Sequence, residues 1–180
     1  MALDKYTIGQ RYGTALFDLA TEQETVDNVY VDVMALQQVF ADAPTLASVL
    51  TNATLTLDQK QPILASLQQG ASASVKNLIQ MVFDYGRMNE MPFILAAFVQ
   101  RYDQVNGIIH AKVTSAVTLS DTQQTALATQ LATRFGAKKV TIDNAVDATV
   151  IGGVIVEANN MVIDGSIRSK LAQVRQLLLG

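Results

Sequence analysis

Between Asp4 and Gln104 apolar side chains return every three or four positions, and almost no stretch alternates as a half-buried strand would. Ile8, Tyr12, Ala15, Leu16 and Leu19 share one side of a first helix; Val26, Val29, Tyr30, Val33, Leu36 and Phe40 share one side of a second. Asp42-Ala43-Pro44 interrupts the pattern, because proline drives the residue before it out of the helical region yet suits a first turn. A short helix through Leu46 to Leu50 is therefore expected. A fourth runs from about Asp58, as N-cap, to Gln69, closed by Gly70. A fifth, capped by Ser72 or Ser74, turns Val75, Leu78, Ile79, Val82 and Phe83 inward. Past the connection Gly86 to Pro92, a sixth lines up Ile94, Ala97, Phe98 and Val105. Six helices with short links make a compact bundle of about 100 residues.

The period changes after the turn signal Asn106-Gly107. Ile108, Ile109, Val113, Thr114, Val117 and Thr118 are β-branched and announce a strand. Ser120 and Gln123 form a capping box for a helix with Leu127, Leu131 and Phe135 on its apolar face, ending at Gly136. Lys139 to Ile142 and Val150 to Glu157 are expected strands, followed by a hairpin at Asn159-Asn160 and a return strand Met161 to Ile163. Asp164-Gly165-Ser166 then turns into a last helix carrying Ile167, Leu171, Val174 and Leu178. The expected fold is α+β: an N-terminal six-helix bundle over 1–105 and a small C-terminal α/β domain over 106–180.

Composition narrows what such a chain can do. Of 180 residues, 49% are apolar and only 16% charged, which favours a large buried core over disorder. A net charge of -3 without any basic block leaves no footprint for nucleic-acid phosphates. With no cysteine, disulfides, thiolate metal sites, iron–sulfur clusters and thiol nucleophiles are excluded. Met1-Ala2-Leu3-Asp4-Lys5 lacks the features of a signal peptide, and the longest apolar runs, Phe93 to Val99 and Val150 to Val156, fall far short of the roughly 20 residues that cross a membrane.

Catalytic inventory is thin, and neither a cofactor nor a metal is expected. The single histidine, His110, lies in the expected first strand, where a solvated or hydrogen-bonded imidazole is the plain reading; Asp143 and Asp147 are expected to flank a turn. Gly152-Gly153 lacks the lysine and helix of a phosphate loop, because Val154-Ile155-Val156 continues as strand; a bulge or a close backbone approach within a sheet is expected instead. More apolar surface is present than one seam needs. Leu78, Met81, Tyr85 and Met88 form a second stripe on the fifth helix, and Tyr12, Ala15 and Leu19 a flank on the first. Two readings fit: a shallow groove for an incoming amphipathic helix, or a central helix buried on all sides by its own bundle.

The segments Val146 to Val156 (Val-Asp-Ala-Thr-Val-Ile-Gly-Gly-Val-Ile-Val) and Val162 to Leu171 (Val-Ile-Asp-Gly-Ser-Ile-Arg-Ser-Lys-Leu) closely resemble the C-terminal signature of the delta subunit of F-type ATP synthases, whose mitochondrial counterpart is the oligomycin-sensitivity-conferring protein. Arg11 to Ala20 resembles that family's first helix, Gly86-Arg87-Met88 the end of its fifth, and Val113 to Val117 its first C-terminal strand. Gly13 departs from the family, which often has alanine there. The resemblance implies a non-catalytic stator subunit of a proton-transporting synthase, at the cytoplasmic face of a bacterial plasma membrane and bound to that membrane only through its partners. Those partners are the N-terminal helices of the alpha subunits, received between the first and fifth helices, and the C-terminal ends of the membrane-anchored b subunits, met by the C-terminal domain. By the same resemblance Tyr12, Ala15, Leu19, Leu78, Met81 and Tyr85 line the alpha site. Rival readings are an adaptor unrelated to energy conversion, a small enzyme pairing His110 with Asp143 or Asp147, and a membrane-surface binder, the last disfavoured by the want of a strongly cationic helix face.

Overall fold

A computed structural model describes residues 4–159 and 161–179, with the last three of these described by backbone alone. The chain divides into two compact units, residues 1–102 and 103–180, and the division falls within the last helix of the first run. In the first run, α1 spans Lys5–Glu22, α2 Val26–Asp42, α3 Leu46–Thr51, α4 Leu57–Gln68, α5 Ala73–Asp84 and α6 Met91–Asn106, with a one-turn 3-10 helix Met88–Glu90 before α6.

These bounds follow the apolar spacing closely. The N-cap of α4 is Thr56 instead of Asp58: its backbone N–H donates to Gln59 Oε1 at 3.0 Å, and this reciprocal bond draws the start of the helix back to Leu57. At α5 Ser72 occupies the N-cap position, and its own backbone N–H donates to Asp32 Oδ2 of α2 at 2.7 Å. The core gathers Leu16, Phe17, Ala20, Val29, Val33, Leu36, Phe40, Val75, Ile79, Val82, Ile94, Leu95 and Phe98, while Val105 is exposed. Met88, expected on the outer stripe of α5, instead lies in the 3-10 turn and is fully buried, because α5 ends at Asp84 and the chain doubles back.

Helix α1 meets α6 through glycine. A Cβ on Gly13 would stand 2.7 Å from both the Ile94 carbonyl oxygen and the Ala97 Cβ, and one on Gly9 would stand 2.8 Å from the Phe93 backbone. Backbone therefore lies against backbone along this seam.

In the second unit, β1 (Ile108–Ser115), α7 (Asp121–Phe135), β2 (Lys139–Val146), β3 (Val154–Ala158), β4 (Met161–Asp164) and α8 (Ile167–Leu179) follow in turn. The sheet order is β2-β1-β3-β4, with β1 and β2 parallel and the other pairs antiparallel. Helix α7 is the crossover between the parallel strands; it starts at the expected Ser120–Gln123 box and stops at Gly136 in the left-handed conformation. Leu127, Leu131 and Phe135 of α7 pack on Ala111, Val113, Val140, Ile142 and Val156.

Three expectations change here. Strand β1 ends at Ser115, so Val117 and Thr118 lie beyond it. Strand β2 continues to Val146, so Asp143 sits within a strand, opposite Lys112, and not at a turn. Strand β3 begins at Val154 and not at Val150: Ala148–Val150 form a 3-10 turn, Ile151 takes φ 66°, and Gly152-Gly153 lie before the strand. The close backbone approach is real but its neighbour is the start of α8. A Cβ on Gly152 would stand 2.8 Å from Ile167 Cδ1, and one on Gly153 would collide with the Gly165 carbonyl. Ile167 N–H donates to the Gly152 carbonyl and Gly165 N–H to that of Val154, each at 2.9 Å. The hairpin after β3 includes Asn159 at φ 51°; Asn160 lies outside the described residues, as do Met1 to Leu3 and the side chain of Leu178.

Candidate functional site

The flanks of α1 and α5 carry the candidate site. On α1, Ile8, Gly9, Gly13, Leu16, Phe17 and Ala20 face inward, and at 3.6 residues per turn Tyr12, Ala15 and Leu19 fall along the edge of that face. On α5, Val75, Leu78, Ile79 and Val82 face inward, and Met81 and Tyr85 stand one turn apart along its edge.

Exposure separates these residues. Leu19 is 41% exposed, Met81 39% and Tyr85 65%; Ala15 is exposed, Tyr12 half-buried against the core, and Leu78 is core at 4%. Helix α5 is thus not enclosed on all sides by its own bundle, since Lys76, Asn77 and Gln80 are open as well. Arg87, in the turn after α5, ties the two flanks together. Its Nη1 donates to Tyr12 Oη at 3.0 Å, and its guanidinium carbon lies 5.9 Å from the Tyr12 ring centre and 5.8 Å from that of Tyr85. Periodicity carries no signal for Arg87, because it sits outside any helix.

Elsewhere in this unit α2 and α4 border an apolar depression of about 600 Å³ floored by Leu36, Val39, Leu46, Ile63 and Leu67. In the second unit His110 opens onto a shallow depression of about 710 Å³ on the polar face of the sheet, beside Lys112, Thr141, Asp143 and Glu157. Its partner is neither Asp143 nor Asp147. His110 Nε2 lies 3.0 Å from Asp103 Oδ2 at the end of α6, seven residues back and out of reach of any strand-period argument. Burial raises the Asp103 carboxyl above its ordinary value, against the opposing pull of His110. Asp147 caps the 3-10 turn through Thr149 N–H at 2.8 Å, and that backbone bond holds its carboxyl low. Among the described residues no cluster of three or more histidine or acidic side chains is spaced to hold a metal ion, and no helix is long and apolar enough to cross a membrane.

The family model described as ATP synthase delta (OSCP) subunit matches residues 8–178. The chain belongs to this family. Among delta subunits, that of Latilactobacillus sakei is 44% identical over 179 residues and that of Lactiplantibacillus plantarum 46%, each alignment covering 99% of both chains. A chain in the cryo-EM structure of the Toxoplasma gondii mitochondrial ATP synthase hexamer shares the fold, with a TM-score of 0.71 over 97% of this chain and 98% of that one, at 16% identity. Delta-family membership thus agrees with a chain of six helices followed by a small mixed sheet.

Proposed function

We propose that this delta-family chain is a non-catalytic stator subunit of an F-type ATP synthase, holding the alpha/beta head to the membrane-anchored b subunits while ion flow turns the rotor. The unit of α1 to α6 receives alpha N-terminal helices along Tyr12, Ala15, Leu19, Met81 and Tyr85, with Leu78 beneath them. The unit from about residue 106 to 180 meets the b stalk, at the cytoplasmic face of a bacterial plasma membrane.

The observation that carries this reading is the exposed apolar edge shared by α1 and α5 and joined by Arg87. An amphipathic helix laid there covers Leu19 and Met81 and stacks on Tyr85, the kind of aromatic contact that dominates interface energies. Torque favours such a contact because holding under load depends on slow dissociation.

Calorimetric titration of the full chain with a peptide of the alpha N-terminus tests it. Ala15 is exposed, so Ala15→Asp leaves the fold intact and places an unpaired charge in the contact, weakening binding by about 2 kcal/mol, or roughly 30-fold. Equal affinity in a variant with unchanged melting removes this edge as the alpha site.

A further inference from the structure

The guanidinium of Arg87 has more donors than the chain uses. Nη1 donates to Tyr12 Oη at 3.0 Å, the rings of Tyr12 and Tyr85 lie 5.9 and 5.8 Å from its carbon, and no carboxylate among the described residues pairs with it. That leaves the Nε and Nη2 edge, whose two parallel N–H groups match the two oxygens of one carboxylate. Arg87 is half-buried beside the α1 and α5 edge, so a helix laid there strips water from it, and a cation stripped of water without a counter-charge is costly. Both tyrosines already hold the side chain in place, which lowers the entropy lost when it takes a partner.

Charge along the edge is uneven. Ser74 Oγ donates to Gln23 Oε1 at 3.0 Å at one end and Arg87 meets Tyr12 at the other, so α1 and α5 run antiparallel. At about 100° per residue, the exposed Arg11, Asp18 and Glu22 fall within about 60° of Ala15 and the exposed Asp84 within about 60° of Met81, while Lys76 is turned about 140° from Met81. Arg11 and Arg87 therefore outweigh Asp84 at the Tyr12 end. Asp18 and Glu22, about 9 and 15 Å further along α1, make the other end acidic.

We infer that Arg87 selects the helix that docks on this edge, by requiring a glutamate or aspartate that borders the apolar stripe of that helix at the Tyr12 end. The carboxylate takes the free guanidinium edge while the stripe covers Leu19 and Met81. An amide in that place leaves a buried cation uncompensated and a lysine meets it with like charge, so the choice works by exclusion as well as attraction. An anionic lipid surface is a poor match, because Asp18, Glu22 and Asp84 border the same edge and repel it. The inference rests on the reading that the edge receives a helix, and adds which residue chooses it and by what chemistry.

The test is calorimetry of the full chain with three designed amphipathic peptides of about 18 residues, identical in their leucine stripe and neutral polar face. They differ at one position bordering the end of the stripe, which is glutamate, glutamine or lysine. The glutamate peptide binds about tenfold more tightly than the glutamine peptide, the lysine peptide binds more weakly still, and the gaps narrow as salt is raised. Arg87→Gln keeps a donor for Tyr12 and brings the glutamate and glutamine peptides to equal affinity; Arg87→Glu reverses the order of glutamate and lysine. A residue that only clamps α5 to α1 lowers all three peptides alike when replaced, and that result overturns the inference. Equal affinity of the glutamate and glutamine peptides for the parent chain overturns it with no variant needed, as does failure of all three to bind, or cosedimentation with phosphatidylserine vesicles in place of peptide binding. The alpha N-terminal peptide separates the two claims. If it binds parent and Arg87→Gln alike, the alpha site stands and Arg87 is not its selector; if the glutamate preference holds and the alpha peptide does not bind, the chemistry of the edge stands and alpha is not its partner.

Discussion

Arg87 donates from Nη1 to the Tyr12 hydroxyl at 3.0 Å, across 75 residues of sequence, and so fixes the end of α5 to the flank of α1. The bond is partly buried and one partner is charged, which places Tyr12→Phe at a loss of about 1 kcal/mol of stability. Urea denaturation measures it. Arg87→Ala loses the same bond and also the contact with the Tyr85 ring, so it falls further than Tyr12→Phe.

Gly13→Ala is expected to destabilise the chain, although alanine is the better helix former by about 1 kcal/mol. The added methyl meets the Ile94 carbonyl and the Phe98 backbone nitrogen, which are main chain and cannot turn aside. Forcing α1 from α6 costs about 1 to 3 kcal/mol, read as a lower urea midpoint with an unchanged slope. An unchanged or raised midpoint means that the helices separate without cost.

Ile151 is β-branched and exposed, yet held at φ 66° and ψ -42°. Ile151→Gly removes that strain and is expected to raise stability by about 1 kcal/mol. Gly153→Ala acts oppositely, because its φ of 77° and the Gly165 carbonyl both reject a Cβ. Circular dichroism melts of the two variants are expected to move in opposite directions.

Acid titration separates two carboxylates by sign. Hydrogen bonds from the Ser169 hydroxyl and the Ser166 backbone hold Asp164 below its ordinary value of about 3.8, so its contribution is present above that value and lost as pH falls through the lower folded one. Burial lifts Asp103 instead, so stability linked to its protonation is complete below 3.8 and lost as pH rises through the raised folded value. Thermal melts of Asp164→Asn therefore fall below the parent at neutral pH and converge with it in strong acid. Asp103→Asn keeps a partner for His110, and its melts stand at or above the parent at neutral pH. A fall of Asp103→Asn below the parent at neutral pH contradicts this assignment.

The six helices were legible because each must bury a stripe, and burial writes a period into the sequence; Val29, Val33, Leu36 and Phe40 show it plainly. The capping box of Ser120 with Gln123 was equally local and marks α7 to the residue, whereas that of Thr56 with Gln59 was passed over for Asp58. What escaped depends on contacts remote in sequence. Val150 to Val156 has strand composition throughout, yet α8 draws Gly152 and Gly153 out of the sheet. Met88 and Met81 share one helical stripe on paper, and only the end of α5 at Asp84 sends one inside and leaves the other out. The Asp103–His110 pair crosses from helix to strand, so neither period predicts it. Along the α1 and α5 edge the spacing marked the surplus apolar side chains; Arg87, which spans them, lies in a turn where no spacing rule applies.

The glycine pair before β3 has a mechanical consequence. A pull on α8 enters the sheet at the main-chain bonds Ile167 to Gly152 and Gly165 to Val154, ahead of any strand ladder. Under such a load these two bonds are expected to part before the pairing of β3 with β4 does, so the loop and not the sheet sets the force that the C-terminal unit withstands.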